Sequence, residues 1–284
     1  MEGNAPTILA SNHPNSFLDA VLVAAYYPKQ IYFLARGDAF KKPWAAFLLR
    51  MMHLMPIHRL EEGREHLTQN KDSFEGCMRI FRNGGTIILF PEGISRNEVE
   101  LRPLRKGAAR LALQAWQDET IEPLNVVPVK LSYNSFTKTP KDFRFDTGKA
   151  LKKQDFNLDQ EAKFYLQFNE VLKERLEGDA ISESEKAGKN FLKMILFAIP
   201  AFLGFVTQRW FYVSIRNFVY KKTKNSVFYD SVLFACLMLF YPIFVLLIAL
   251  IVGLLAKCFL VGLSVFLLLP ITAWCYKTHK LASE

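Results

Sequence analysis

Residues 7–26 read TILASNHPNSFLDAVLVAAY, and this stretch decides the fold class of the first half of the chain. The apolar run at residues 7–11 predicts a buried strand, and residues 18–26 have the length and spacing of a helix. The segment between them is short and polar, which suits a turn. A strand that passes through a short turn into a helix is the repeating element of α/β domains.

The same alternation continues through the first 180 residues. Further strands are predicted at residues 31–35, 54–57, 86–90 and 125–132, and further helices at residues 43–52, 64–81, 106–116 and 159–176. This order predicts an α/β domain, residues 1–180, with a partly parallel sheet flanked by helices. The polar segment EGDAISESEKAGKN, residues 177–190, cannot bury a face and marks the domain boundary.

The region that follows, residues 191–284, is predicted to associate with a membrane. Residues 231–256 carry no charge, and residues 258–276 repeat that pattern after the single Lys257. At about 1.5 Å per residue, each run is long enough to cross the hydrocarbon region of a bilayer. Two such runs predict a tight transmembrane hairpin, although a buried hairpin inside a soluble protein is the alternative.

Residues 191–220 precede this hairpin and are apolar and aromatic. They also contain Pro200, Arg209 and Arg216, which favour a helix at the membrane interface over a span.

The formal net charge of +9 is concentrated in the C-terminal region, where nine Lys or Arg stand against two acidic residues. Basic residues flank the predicted hairpin on both sides: Lys221, Lys222, Lys224, Lys277 and Lys280. This distribution predicts an anionic membrane surface as the partner and argues against nucleic acid. By the positive-inside tendency, both ends of the hairpin and the domain of residues 1–180 are expected on the cytoplasmic face.

Cysteine usage and the first residues add two expectations. Three of the four cysteines lie in or beside the apolar runs, so no disulfide and no metal site is predicted, and no cofactor motif occurs. The opening MEGNAPT lacks the features of a signal peptide, which also favours a cytoplasmic domain.

His13 and Asp19 are the candidate catalytic pair. His13 falls in the turn after the first strand, and Asp19 falls in the first turns of the helix, so the two side chains can meet. A carboxylate that accepts a hydrogen bond from one ring nitrogen leaves the other nitrogen free to act as a general base. The alternative is that Asn12 or Ser16 caps the helix and His13 is an ordinary loop residue.

A second candidate loop, FPEGISR at residues 90–96, follows the predicted strand TIILF. Proline and glycine alone would produce a turn there, but Glu92 and Arg96 then lie at the end of a strand, where open α/β sheets bind ligands. Arg59 follows another strand. If these strands are parallel, a base and two guanidinium groups converge on one rim, where the guanidinium groups suit a phosphate.

Lys106 opens the next predicted helix and could supply another cation or an anion-binding helix N-terminus. The alternative is that the basic residues around it form only a solvated face: Arg102, Arg105, Lys106 and Arg110.

These residues, in this order, resemble the glycerol-phosphate acyltransferase superfamily. The resemblance covers residues 7–135 and rests on five short blocks: Asn12-His13 with Asp19, Pro56-Ile57-His58-Arg59, Phe90 to Arg96, Lys106-Gly107-Ala108 and Val127-Pro128-Val129. It implies His13 as base, Asp19 as the residue that orients it, Arg59 and Arg96 as ligands of the acceptor phosphate, and Glu92 and Gly93 in acceptor binding. Pro128 would be structural or line the acyl chain.

Two departures from the family pattern affect these expectations. Five residues separate His13 from Asp19, where the family usually has four, so the geometry of the pair is less closely defined. The segment before His13 is short, so membrane attachment is expected from the C-terminal region.

The predicted function is therefore an O-acyltransferase that uses acyl-CoA or an acyl carrier protein as donor and a glycerol phosphate as acceptor. The wider spacing and the apolar C-terminal region favour glycerol-3-phosphate slightly over its 1-acyl product. The alternatives are a membrane-associated lipid hydrolase and a non-catalytic membrane scaffold. No G-x-S-x-G motif supports a serine hydrolase.

Overall fold

Strand β1 (Thr7–Ser11) is buried along its whole length in the computed structural model. The structure describes residues 5–57, 67–121, 123–137, 141–177, 191–224 and 226–283. Alternate residues of a strand point to opposite faces of the sheet. Ile8 and Ala10 accordingly enter one core cluster and Leu9 enters the other. Helices cover both faces, which explains why this strand is apolar without alternation.

The sheet contains six described strands in the order β3-β2-β4-β1-β5-β6. The first five pair in parallel, and β6 pairs antiparallel with β5. After β1, the strands are β2 (Ile31–Arg36), β3 (Leu54–Ile57), β4 (Thr86–Leu89), β5 (Asn125–Tyr133) and β6 (Phe143–Thr147). The carboxyl ends of the five parallel strands therefore share one rim, and the predicted α/β class with a partly parallel sheet is confirmed.

Five helices accompany these strands in the described residues: α1 (Phe17–Tyr26), α2 (Pro43–Met51), α3 (Leu67–Arg82), α4 (Gly107–Gln117) and α5 (Glu161–Glu177). The predicted helices agree within a few residues, and the start predicted at residue 64 lies outside the described residues. The larger core cluster is aromatic at its centre, where Trp116 of α4 contacts Phe164 and Phe168 of α5. This packing fixes α4 and α5 against the sheet.

Strand β6 is the element that the sequence analysis missed. Phe143 and Phe145 alternate with Arg144 and Asp146, which is the pattern of an edge strand with one face toward solvent. The alternation is short and charged, so it lacks the apolar run by which the parallel strands were found.

The chain divides into two compact units, of which the first contains the sheet and the second contains three long helices. The second unit comprises α6 (Phe191–Thr223), α7 (Tyr229–Leu255) and α8 (Phe259–Ser283), together with the loop Asn134–Asp142. Most of the boundary segment predicted at residues 177–190 lies outside the described residues.

Helices α7 and α8 form the predicted hairpin around Lys257. The turn is tight because two glycines let the helices approach: a Cβ atom on Gly262 would lie 2.8 Å from the carbonyl oxygen of Ala249 and 3.2 Å from the Cα atom of Gly253. Lys257 itself adopts a positive φ of 47°.

Helix α6 adds a third candidate span to the two that the sequence predicted. Within the described residues, three helices are long and apolar enough to cross a membrane, and one of them is Ile195–Thr223. Gln208 joins the three helices, since its amide nitrogen donates to Thr272 of α8 and its oxygen accepts from Tyr241 of α7. Arg209 lies over the ring of Phe205, which offsets part of the cost of a cation in an apolar helix.

Candidate active site

His13 and Asp19 are in direct contact in the structure. His13 Nδ1 lies 2.9 Å from Asp19 Oδ2, despite the five intervening residues. The wider spacing is absorbed because His13 lies in the turn before α1, where its approach to Asp19 is not tied to the helical repeat. The pair that the sequence predicted is therefore brought together.

The helix-capping alternative does not describe this turn. The side chain of Ser16, which precedes the first turn of α1, makes no capping hydrogen bond. The amide of Asn12 instead pairs with the backbone of Leu131 in β5, donating at 2.9 Å and accepting at 2.7 Å. Asn12 thereby ties the histidine loop, residues 12–16, to the neighbouring strand.

Asp19 is fully buried and accepts hydrogen bonds at both oxygens. The backbone N–H of Asn15 donates to Oδ2 at 2.7 Å, and the hydroxyl of Tyr133 donates to Oδ1 at 2.5 Å. These donors compensate the burial of the carboxylate and fix its orientation. Tyr133, at the end of β5, is a contributor that the sequence analysis missed, because nothing in the sequence relates a single tyrosine to Asp19.

The imidazole ring of His13 is held on a second side by Phe90. The two rings stack with centroids 3.8 Å apart and planes inclined by 13°. The side chain of His13 remains 19% exposed. When Nδ1–H donates to Asp19, Nε2 is the unprotonated nitrogen, and it can take a proton from a substrate hydroxyl.

Glu92 joins the histidine loop to the loop after β4. Its Oε1 accepts the backbone N–H of His13 at 2.7 Å, and its Oε2 accepts that of Arg102 at 3.2 Å. The backbone N–H of Ser16 also donates a hydrogen bond to Ser95 Oγ at 2.7 Å, which is a third link between the two loops. The carboxylate thus holds the loop that carries the base, and the predicted role of Glu92 in acceptor binding stays a prediction.

Gly93 occupies a position that excludes a side chain. Its φ is +72°, and a Cβ atom there would lie 2.8 Å from Arg105 Cδ. The backbone N–H of Arg105 also donates to the carbonyl of Pro91 at 2.8 Å. Glycine therefore permits the arginine loop, residues 90–106, to fold back on itself beside the rim.

A small cleft beside His13 contains two of the basic residues. Its lining includes Asn12, Pro14, Glu92, Arg96 and Arg102. Arg96 is 55% exposed and lies 3.6 Å from Glu98. Arg102 contacts the same carboxylate at 3.5 Å, and its Nη1 is buried with no hydrogen-bond partner in the described part of the chain. Both guanidinium groups therefore line the cleft, beside the carboxylates of Glu98 and Glu100.

The other predicted cations are placed differently. Lys106 is exposed at the N-terminus of α4 and does not belong to the cleft lining described above. Arg59 lies outside the described residues, so its role stays a prediction. Arg105 packs against Gly93, whereas Arg102 enters the cleft, and the basic cluster is therefore not one uniform solvated face.

Comparisons with known proteins find one family model and several curated relatives. The Acyltransferase family model matches residues 2–132. A chloroplastic 1-acyl-sn-glycerol-3-phosphate acyltransferase of Brassica napus is 27% identical over 109 residues, which are 38% of this chain and 30% of that protein. The enzyme of the same name from Bacillus subtilis is 24% identical over 106 residues, 37% of this chain and 48% of that protein.

The chain therefore spans less than a third of the Brassica relative and about half of the Bacillus one. Among solved structures, the 1-acyl-sn-glycerophosphate acyltransferase PlsC of Thermotoga maritima is 17% identical, with a TM-score of 0.42 over 62% of this chain and 67% of that one. The family match and the curated relatives agree with the order of the sequence blocks and support the glycerol-phosphate acyltransferase superfamily for residues 2–132.

Proposed function

We propose that this chain is an O-acyltransferase that moves a fatty acyl group from an acyl thioester to a hydroxyl of a glycerol phosphate. The observation that carries the proposal is the contact between His13 and Asp19 beside a cleft that contains Arg96 and Arg102. A base next to guanidinium groups suits an acceptor that has both a hydroxyl and a phosphate.

The proposed reaction needs one base. Asp19 holds His13 Nδ1–H, and Nε2 takes the proton of the acceptor hydroxyl as its oxygen attacks the thioester carbonyl. The carbon–sulfur bond then breaks, and the departing thiolate takes the proton from His13, which restores the base. No acyl-enzyme forms. Cys77 is not a competing nucleophile, because burial raises the pKa of its thiol to about 12.

The acceptor phosphate is proposed to bind Arg96 and Arg102, with Arg59 and Lys106 as further candidates from the sequence. Glu92 and Gly93 are proposed to support acceptor binding by shaping the loop that carries these groups. The Glu92 carboxylate accepts the backbone N–H of Arg102, and Gly93 lies against the side chain of Arg105. A planar guanidinium group can donate two parallel hydrogen bonds to a phosphate, which lysine cannot do.

The identity of the acceptor is the finer part of the proposal. The curated relatives are named for 1-acylglycerol-3-phosphate, whereas the sequence analysis slightly favours glycerol-3-phosphate. Both carry a terminal phosphate monoester, which suits the guanidinium groups of Arg96 and Arg102 equally. We propose a glycerol-phosphate monoester acceptor, and the relatives' names favour the 1-acyl form.

The test is an assay of the purified full chain with labelled acyl-CoA and labelled acyl carrier protein, each offered with both glycerol phosphates. Label on a glycerol phosphate supports the proposal, and the product identifies the acceptor and the donor. Label recovered only as free fatty acid would instead identify a hydrolase. No turnover with any pair, from a chain that is folded and membrane-inserted, would favour a non-catalytic scaffold.

Membrane association is supported by the three long apolar helices, and we propose that residues 1–180 face the cytoplasm. The lysines that flank α7 and α8 favour a cytoplasmic position for both ends of that hairpin. A full crossing by α6 would place residues 1–180 and residues 221–224 on opposite sides. The proposal therefore requires α6, which is one continuous helix, to lie along the cytoplasmic interface without crossing the membrane.

Protease added to intact cells decides this arrangement. Protection of both the sheet domain and residues 221–224 supports it. Cleavage at residues 221–224 alone would show that α6 crosses the membrane and that the orientation of the hairpin is wrong. Cleavage within the sheet domain would overturn the cytoplasmic location.

A further inference from the structure

Helix α2 (Pro43–Met51) exposes an apolar face in a unit whose other helices cover the sheet. None of its residues is buried. Trp44 is 65% exposed, Phe47 is 64% exposed and Met51 is 62% exposed, and Leu48 beside them is about half exposed. By contrast, α4 buries seven of its residues. Large side chains are costly to leave in water, so such a contiguous face indicates a binding surface.

The sequence of α2 arranges this face on one side of the helix. Positions 44, 47, 48 and 51 have the spacing of neighbours along a single helical stripe. Lys41 and Lys42 precede the helix, Arg50 lies beside the stripe, and no acidic residue occurs between positions 39 and 52. An apolar stripe bordered only by cations matches the interface of a bilayer that contains anionic lipids.

The connection of α2 to the sheet places its first turn near the candidate site. The helix follows the carboxyl end of β2, which is parallel to β4 and, through β4, to β1. The ends of β2 and β1 therefore lie on the same rim, two strand spacings apart, or roughly 10 Å. Lys41, Lys42 and Trp44 thus begin the helix on the side of the sheet that carries His13.

We propose that α2, together with Lys41 and Lys42, docks onto an anionic lipid surface. Its nine residues extend about 14 Å, which is too short to cross a bilayer, so the helix lies in the plane of the interface. A lipid surface is the occupant because the same chain carries three helices suited to a membrane, and because tryptophan and lysine favour the headgroup region.

This docking does not depend on the proposed catalytic function. If that function holds, the docking brings the rim near His13 to the surface from which a 1-acyl acceptor and an acyl chain enter.

The test uses the full chain reconstituted in vesicles of phosphatidylcholine with phosphatidylglycerol. A fluorophore is attached to L48C in a background whose four native cysteines are alanine, and to L166C as the matched control. Leu166 on α5 is an equally apolar side chain that is 64% exposed. We expect spin-labelled lipid to quench the label at position 48 several-fold more than the label at 166, and aqueous iodide to show the reverse order.

Two outcomes would overturn the docking. Equal access of iodide to positions 48 and 166 would place α2 in water. Protection of position 48 from both quenchers would show that protein covers the stripe, either from this chain or from a second copy.

A second variant tests the charge. Replacing Lys41 and Lys42 by glutamine in the L48C chain should lower lipid quenching several-fold in vesicles with phosphatidylglycerol and leave it unchanged in phosphatidylcholine alone. Unchanged quenching in both would remove the anionic lipid from the proposal. Because the assay measures membrane contact, its result is independent of whether the chain shows acyltransferase activity.

Discussion

The histidine loop and the arginine loop leave neighbouring parallel strands at the same rim, but they are held in different ways. The histidine loop is anchored by short hydrogen bonds to buried groups, including those from Asn12 to Leu131 and from Asn15 to Asp19. In the arginine loop, Arg96 and Arg102 meet Glu98 at 3.6 and 3.5 Å, at partly exposed positions. Exposed ion pairs of this kind contribute only about 0–1 kcal/mol.

The two loops are therefore expected to contribute differently, one through the proposed base and the other through the proposed phosphate ligands. Under the proposed function, His13 and Asp19 are already paired, so changes to them should affect turnover. Under the same proposal, the arginines contact the carboxylate of Glu98, whose place an acceptor phosphate would take. Variants of the two loops are therefore expected to change different kinetic constants.

The largest effect is expected from the histidine loop. His13→Ala should lower kcat/KM by about 10²- to 10⁴-fold, because the general base is lost. The fold should persist, since His13 lies in a loop and is partly exposed. The measurement is transfer of labelled acyl groups by a variant whose melting temperature matches that of the unchanged chain. Activity near normal in that variant would reject His13 as the base.

Asp19→Asn should lower kcat by roughly 10²-fold and leave the acceptor KM almost unchanged, because Asp19 orients the base and lies behind it. An amide presents only one acceptor oxygen to the three groups that now share the carboxylate. A Tyr133→Phe chain is the control that keeps the carboxylate and removes one donor. A change confined to the acceptor KM in Asp19→Asn would contradict the assignment of the pair.

Variants of the arginine loop should change the acceptor KM more than kcat. Arg96→Ala should raise the KM of a glycerol-phosphate acceptor by roughly 10- to 100-fold, because a charge-assisted hydrogen bond contributes about 1.5–3 kcal/mol. Arg96→Lys, which keeps the charge but loses the planar fork, is the matched variant and should recover part of the loss. An acceptor without phosphate should be used equally by all three chains. An equal loss with that acceptor would make Arg96 structural.

Much of the fold was predictable because the five parallel strands are apolar runs whose loops fall at one rim. His13 and Asp19 were predictable for the same reason, since a short turn between strand and helix brings them together. Strand β6 was not predictable, because charged and apolar residues alternate in this edge strand and it buries little apolar surface. The sequence predicts an interfacial helix at residues 191–220 because of Pro200 and Arg209, and in the structure one long helix continues through both residues.

The remaining parts of the site depend on contacts between distant segments. Tyr133 reaches Asp19 across 114 positions of sequence, and no local pattern encodes that pairing. From the sequence, Arg102 could be one member of a solvated basic face. In the structure, Glu92 accepts the backbone N–H of Arg102, and Arg102 lines the cleft. Glu92 is recognisable in the sequence as part of a block, whereas its two backbone partners are visible only in three dimensions.

The smallest effect is expected from a change at Glu98. We propose that its carboxylate occupies the position that the acceptor phosphate takes. Glu98→Gln keeps the size of the side chain and removes its charge, so both arginines lose a competing anion. Since exposed pairs contribute about 0.2–1 kcal/mol, the acceptor KM should fall by about 1.5- to 5-fold while kcat stays constant. Added salt should shrink the difference, because it screens the pair in the unchanged chain. Ser95 lies on the same loop, binds Ser16 and carries no charge. Ser95→Ala therefore serves as a control that alters the loop without changing the charge that competes with the acceptor phosphate.

A rise in KM for Glu98→Gln would mean the opposite arrangement, in which Glu98 holds Arg96 and Arg102 in the position that binds phosphate. The comparison between the loops would then change, because the arginine loop would also be set for its task before the substrate arrives.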